Sequence, residues 1–314
     1  MRGPGIERHR WVWAAAGVLV LWAALSVSTN RFGLQSLSGV LASASFLAIV
    51  SIGQMFAIST GGGNCDLSMP SVITLSAFLT VGLVGGSNIA LLWGLPVVLF
   101  LGLAVGAVNA ILVLRLRIPA IIATLAVGYV LATGTLLANQ TAVSFSVSPL
   151  LAAVAASRVA GMPTILPTAL VLCAASALLI GRTAYGRRLM ALGQSERAAA
   201  LAGVRVNPTA TAAFLISGAL AALDGALLSA HAGGAFLEMG APYLLQSVGA
   251  VVVGGTLIFG GSATALGTFL GSVLLILIVT TMQIMGLPAG AQDVVEGAVI
   301  IAVLAAAGAG RRAR

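Results

Sequence analysis

The chain has 314 residues, 60% of them hydrophobic and 7% charged, and its net charge of +8 comes from fifteen arginines against seven acids, with no lysine. A mean hydropathy of +1.12 is far above that of a water-soluble domain and excludes one. The missing lysine also excludes a Walker A loop, so this chain cannot hydrolyse ATP itself.

A hydrocarbon core of about 30 Å needs roughly 20 apolar residues to cross it. About ten such stretches follow one another, at residues 11–28, 40–59, 69–84, 89–114, 118–138, 164–180, 209–231, 244–258, 263–285 and 293–308. The third and eighth are short. The first follows an arginine-rich start and is too long for a signal-peptide core, so it is expected to be a retained span. The glycine-rich edges at Gly61–Gly63 and Gly254–Gly261 suit re-entrant or broken segments lined by protein. The expected fold is an all-α polytopic membrane protein, a single transmembrane domain over residues 1–314.

With ten spans and both termini cytoplasmic, thirteen arginines fall inside and only Arg31 and Arg158 outside. That is the bias of the positive-inside rule, and shifting the count by one span would scramble it. The charge therefore reports topology rather than a nucleic-acid surface, because no basic stripe is interleaved with stacking aromatics. Small residues at four-residue spacing, Gly102, Gly106 and Ala110, Thr124 and Gly128, Gly267 and Gly271, suit close helix packing. Cys65 and Cys173 are far apart in sequence and lie in or near membrane segments, so neither a disulfide framework nor a metal site is indicated.

The inside loop at about 182–208 is too ordered in composition to be a bare connector. Ser195 can cap a short helix that Glu196 and Arg197 open, Ala198, Ala199 and their neighbours favour, and Gly203 can end in a left-handed conformation. Asp66, with Ser68 beside it and Pro70 following, reads as a cap entering the third span. Asp293 and Glu296 sit near the start of the last span, where a helix N-terminus favours anions.

Four ordered stretches resemble a known family. Gly193-Gln-Ser-Glu-Arg-Ala-Ala-Ala-Leu-Ala-Gly-Val is similar to the "G-x-N-x-x-A-A-x-x-x-G-I" loop of ABC importer permeases of the ribose, xylose and arabinose group. Gly62-Gly-Asn-Cys-Asp-Leu-Ser resembles "G-G-I-D-L-S", Asn109 with Arg117-Ile-Pro-Ala-Ile-Ile-Ala-Thr-Leu125 resembles "I-N-G…I-P-x-F-I-x-T-L-G", and the segment through Gly254, Gly255, Gly260 and Gly261 resembles "I-G-G-T-S-L-x-G-G-x-G". The likeness spans about residues 40–305. Departures are the longer loop at Asn64-Cys65, Ala110 and Ala263 in place of glycine, and Asp224 in a position the family usually keeps small and apolar.

The resemblance implies the permease subunit of an ABC importer of the bacterial inner membrane, carrying a monosaccharide and binding no cofactor or metal of its own. Implied partners are an ABC ATPase subunit, an extracytoplasmic solute-binding protein, a second permease copy and membrane lipid. Gly193, Ser195, Glu196, Ala198, Ala199 and Gly203 would couple to the ATPase, and Asp66, Ser68, Gly254, Gly255, Gly260 and Gly261 would form turns near the gate. Polar residues in apolar runs, Gln54, Asn109, Thr124, Tyr129, Asp224 and Gln246, are the candidates for the solute path, since an ionisable or polar group in a span suggests function. Rival cargoes are a nucleoside, autoinducer 2 or a branched-chain amino acid. An ion-coupled secondary transporter would use Asp224 for coupling but leaves the alanine-rich loop helix unexplained. A membrane enzyme lacks an evident acid, base or metal constellation.

Overall fold

The computed structural model describes residues 11–29, 34–141 and 146–312. Arg2, Arg8, Arg10, Arg31 and Arg314 lie outside them, and so does part of the expected arginine division. In chain order the helices are α1 (Trp11–Thr29), α2 (Leu34–Ser59), α3 (Met69–Val84), α4 (Leu91–Ala110), α5 (Ala120–Thr141), α6 (Pro149–Ala155), α7 (Ile165–Arg182), α8 (Ala184–Gln194), α9 (Glu196–Leu201), α10 (Val206–Ala232), α11 (Tyr243–Val253), α12 (Ala265–Ile284) and α13 (Ala289–Arg312). A two-residue antiparallel pair, β1 (Arg158–Val159) with β2 (Met162–Pro163), closes the loop after α6.

Among the described residues six helical segments are long and apolar enough to cross a membrane, in α2, α4, α5, α7, α10 and α12. Val12–Ala23, Met69–Val84 and Tyr243–Val253 are apolar but shorter. The chain is thus an all-α polytopic membrane protein. The core gathers on α2 and α10, where Phe46, Ile49, Ile52, Phe56 and Phe214 are fully buried. Leu92, Phe100, Val130 and Val171 point outward from α4, α5 and α7, as apolar side chains do where the surrounding solvent is hydrocarbon.

α4 crosses α10 antiparallel at backbone contact. A Cβ on Gly102 would collide with Gly218, and one on Gly106 with the Phe214 carbonyl, so the small-residue stripe of α4 is this interface. α4 then loosens into a π turn over Ile111–Arg115, and Arg117 takes a left-handed φ of 56° before Pro119 restarts the chain as α5.

The short helices are parts of broken crossings. After α2 the run Gly61, Gly62, Gly63 adopts φ of 82°, 66° and 77°, a reversal open to glycine at little cost. The chain then climbs back, so that Asp66 N reaches Gln54 Oε1 of α2 at 3.2 Å and the Met69 side chain at the start of α3 lays its Cε 3.1 Å from where a Cβ on Gly53 would stand. That is roughly 9 Å above the end of α2 at 1.5 Å per residue. At the opposite end the chain leaves α10 and dips inward until Gly240 N donates to Thr74 Oγ1 at 3.0 Å, and α11 starts from there. α2, its turn and α3 are therefore matched in inverted orientation by α10, its turn and α11, and the two half-helices begin near each other at mid-depth.

Candidate functional site

α8 and α9 form a ledge that carries Arg187, Arg188 and Arg197, with Arg182 and Arg205 at its two ends; the π turn with Arg115, followed by Arg117, packs on the same helix, α10, that the ledge leads into. Thr183 Oγ1 caps α8 by accepting from Gly186 N at 3.2 Å. Buried Leu189 and Leu192 fix α8 to the body, and Tyr185 packs beside Phe56 of α2 with ring centroids 6.4 Å apart. Burial pushes the Tyr185 phenol above its ordinary range, because the charged form would lose water.

Ser195 Oγ accepts from Ala198 N at 3.3 Å and opens α9. Gly203, at φ 81°, ends the turn, with Gly203 N donating to Ala200 O and Val204 N to Ala199 O. Ala199 faces inward and is buried, whereas Glu196, Arg197 and Ala198 are exposed. Leu201 is 90% exposed at the tip of this ledge.

Gly193, the next-to-last residue of α8, lies wedged between two glycine turns. A Cβ there would run into Ser59 O on one side and Gly261 N on the other. Gly61 and Gly260 close the same knot: a Cβ on Gly61 would come within 2.9 Å of Gly193 Cα, and one on Gly260 would strike Gly61. Gly261 N donates to Ser59 O at 3.4 Å, and Gln194 Nε2 to Gly261 O at 3.4 Å. Gly254 packs on Gly267 at the head of α12, and Gly255 adopts φ 90°. The ledge, the turn before α3 and the turn after α11 thus meet backbone to backbone at Gly193, with the Gln194 side chain beside them on Gly261.

The turn before α3 continues to a buried carboxylate. Asp66 Oδ1 accepts from Ser68 N at 3.1 Å, Ser68 Oγ at 2.6 Å and Asn109 Nδ2 at 3.2 Å, while Oδ2 accepts from Ser217 Oγ at 2.7 Å. Asn109 Nδ2 also donates to Ser68 Oγ at 2.8 Å, Asp66 N donates to Gln54 Oε1 at 3.2 Å, and Leu67 N to Thr124 Oγ1 at 3.0 Å. Single residues of α2, α4, α5 and α10 therefore hold one turn. Such charge-assisted bonds compensate a buried carboxylate that would otherwise be costly. Ser68 rather than Asp66 occupies the cap position of α3 and makes no side-chain cap bond; Asp66 acts two residues earlier, as an Asx turn.

The structure thus brings together Gln54, Asn109 and Thr124, proposed separately for the solute path, around Asp66 and Ser68. It places the others apart. Tyr129 is 74% exposed on the outer face of α5. Gln246 of α11 donates to Glu296 Oε2 of α13 at 3.1 Å. Glu296 lies in the second turn of α13, beyond the cap position expected for it. Asp224 is fully buried in α10, and neither of its oxygens has a hydrogen-bond partner among the described residues. Ser217 belongs to the network without having been singled out, since a lone serine in an apolar span carries no signal of its own. No group of three metal-ligating side chains occurs among the described residues.

Residues 36–304 match the family model described as branched-chain amino acid transport system / permease component. The autoinducer 2 import system permease protein LsrC of Yersinia enterocolitica (strain 8081) is 32% identical over 315 aligned residues, covering 95% of this chain and 82% of that protein. The LsrC proteins of Yersinia pestis (strain Pestoides F) and Yersinia pseudotuberculosis (strain YPIII) are also 32% identical, covering 95% of this chain and 85% of each relative. No solved structure matches. The apolar crossings, the broken half-helices, the ordered motifs and these relatives agree: the chain belongs to the branched-chain amino acid transport system / permease component family, as a multi-pass inner-membrane permease subunit of an ABC importer.

Proposed function

We propose that this chain is the permease of an importer for a small neutral polar solute, of the autoinducer 2 or monosaccharide kind, delivered by an extracytoplasmic binding protein. The autoinducer 2 assignment is supported by the relatives' own function, and the monosaccharide by the ordered motifs. Ten crossings, counting the half-helices α3 and α11 together with α1 and α13, put the arginine-bearing ledge and both termini in the cytoplasm. α9 is then the knob that an ATPase subunit grips, and two permease copies enclose the path.

The observation that carries this reading is the glycine knot. A push on α9 passes through rigid α8 to Gly193, and from there directly into the turns before α3 and after α11. Both turns begin or end a half-helix that reaches mid-depth, so the ATPase cycle has a mechanical path to the middle of the membrane. Uptake of labelled autoinducer 2 and labelled D-ribose by cells carrying the complete transporter tests it. Uptake of at least one, abolished by Leu201→Asp while the permease remains in the membrane, is the expected result. Undiminished uptake in Leu201→Asp refutes the docking role of α9.

A further inference from the structure

A cavity of about 300 Å³ opens between α3, α5 and the inward dip that joins α10 to α11. It lies where the two half-helices begin. Its polar lining is Ser71 and Thr74 from the first turns of α3, Thr135 from α5 and Glu238 from the dip, and its apolar lining includes Leu136 and Leu237. Glu238 is exposed and held at φ 64°, a left-handed conformation uncommon for a side chain of this kind. Strained residues of that sort gather at functional sites.

The depth of the cavity makes the carboxylate informative. Gly240, two residues on, bonds Thr74, and from Thr74 to the far end of α3 the chain rises roughly 15 Å at 1.5 Å per residue. A carboxylate this far from the end of a span is expensive unless it faces water or a ligand. Glu238 faces the cavity. The geometry points to this cavity as the solute-binding station of the translocation path, with Glu238 as its principal hydrogen-bond acceptor.

The lining also restricts what can bind. Thr135 Oγ1 donates its proton to Leu131 O at 3.0 Å, and Thr74 Oγ1 donates to Pro70 O at 2.9 Å while accepting from Gly240 N. Their hydrogens are committed, so Thr135 and Glu238 present acceptors, and only Ser71 is left to turn either way. A fitting solute must therefore bring donors, and must not bring an anion to a carboxylate. Leu136 and Leu237 offer an apolar wall to a C–H face. A neutral ring rich in hydroxyls meets all these conditions, whereas an amino acid could set its ammonium on Glu238 but would find no cationic side chain in the lining for its own carboxylate. An open cavity with one strong acceptor also suits a transport site, which must release its cargo.

This inference rests on the importer reading above, and the test separates the two. In cells carrying the complete transporter, uptake of labelled D-ribose and autoinducer 2 is measured for wild type, Glu238→Gln, Glu238→Asp and Thr135→Val, each normalised to folded permease in the membrane. The expected result is at least a tenfold fall for Glu238→Gln, a smaller fall for Thr135→Val, partial recovery in Glu238→Asp, and unchanged melting temperatures, because Glu238 supports no packing. Wild-type uptake per molecule in both Glu238→Gln and Thr135→Val overturns the proposal. If wild type carries neither probe, the solute reading fails and the cavity is judged separately, by Thr135→Cys in a protein lacking Cys65 and Cys173. A small charged thiol reagent should then react with the purified complex at a rate that changes at least fivefold on trapping with ATP and vanadate. No reaction, or the same rate in both states, overturns the proposal.

Discussion

Gly193→Ala is the smallest perturbation that strikes the proposed transmission point. The added methyl would overlap two backbone atoms, Ser59 O at the end of α2 and Gly261 N in the turn after α11. Neither can swing aside as a side chain would, so both segments, or the whole of α8, must retreat by about an ångström to regain ordinary contact. Overpacking of this kind costs about 1–3 kcal/mol. Part of the strain is relieved by lifting the ledge off the body, which also removes the route from α9 to α3 and α11. The expected phenotype is a folded, inserted permease with a lowered melting temperature, an ATPase that still binds, and solute uptake reduced at least tenfold. Gly203→Ala is the comparison. Its φ of 81° strains an alanine by about 1–2 kcal/mol, but no atom lies within 4 Å of the new methyl, so uptake per folded molecule should fall far less. Equal uptake in Gly193→Ala and wild type, with no change in melting, would refute the claim that the three turns are locked together.

Asn109→Leu removes one donor from Asp66 and one from Ser68, and hydrogen bonds to a charged group are worth about 1.5–3 kcal/mol; purified protein should melt at a lower temperature, and the loss should shrink in an Asp66→Asn background, as coupled groups require. Asp224→Ala deletes a buried carboxylate that has no hydrogen-bond partner among the described residues, recovering about 1–3 kcal/mol; a higher melting temperature is expected, and a lower one would show that the assembled transporter supplies a partner. For topology, in a protein lacking Cys65 and Cys173, a cysteine at position 161 should react with an impermeant reagent added to intact cells, whereas one at position 197 should react only after the membrane is opened.

The membrane class and most crossings were legible because lipid demands long apolar stretches, and composition records that demand directly. The helix α9 was legible too, since the Ser195 cap and the Gly203 stop act over a few residues. The broken crossings were visible only as glycine clusters. Nothing local says that Gly193, Gly61 and Gly260 touch, because a close approach between glycines leaves no side-chain pattern in any of the three segments. The Asp66 network was half legible: Gln54, Asn109 and Thr124 stand out as polar residues in apolar runs, yet their convergence on one turn depends on helix rotation and depth. Glu238 drew no notice because it sits in what reads as an ordinary outer loop, and only the inward dip of that loop gives its charge a setting.

On the proposed function, this permease moves solute only when ATPase subunits drive it through α9. Purified permease is reconstituted in vesicles with and without its cognate ATPase subunits, with solute-loaded binding protein on one side and ATP on the other. Accumulation of solute is expected only when ATP, ATPase and binding protein are all present, and none when a proton or sodium gradient replaces ATP. Gradient-driven accumulation by the permease alone would contradict it.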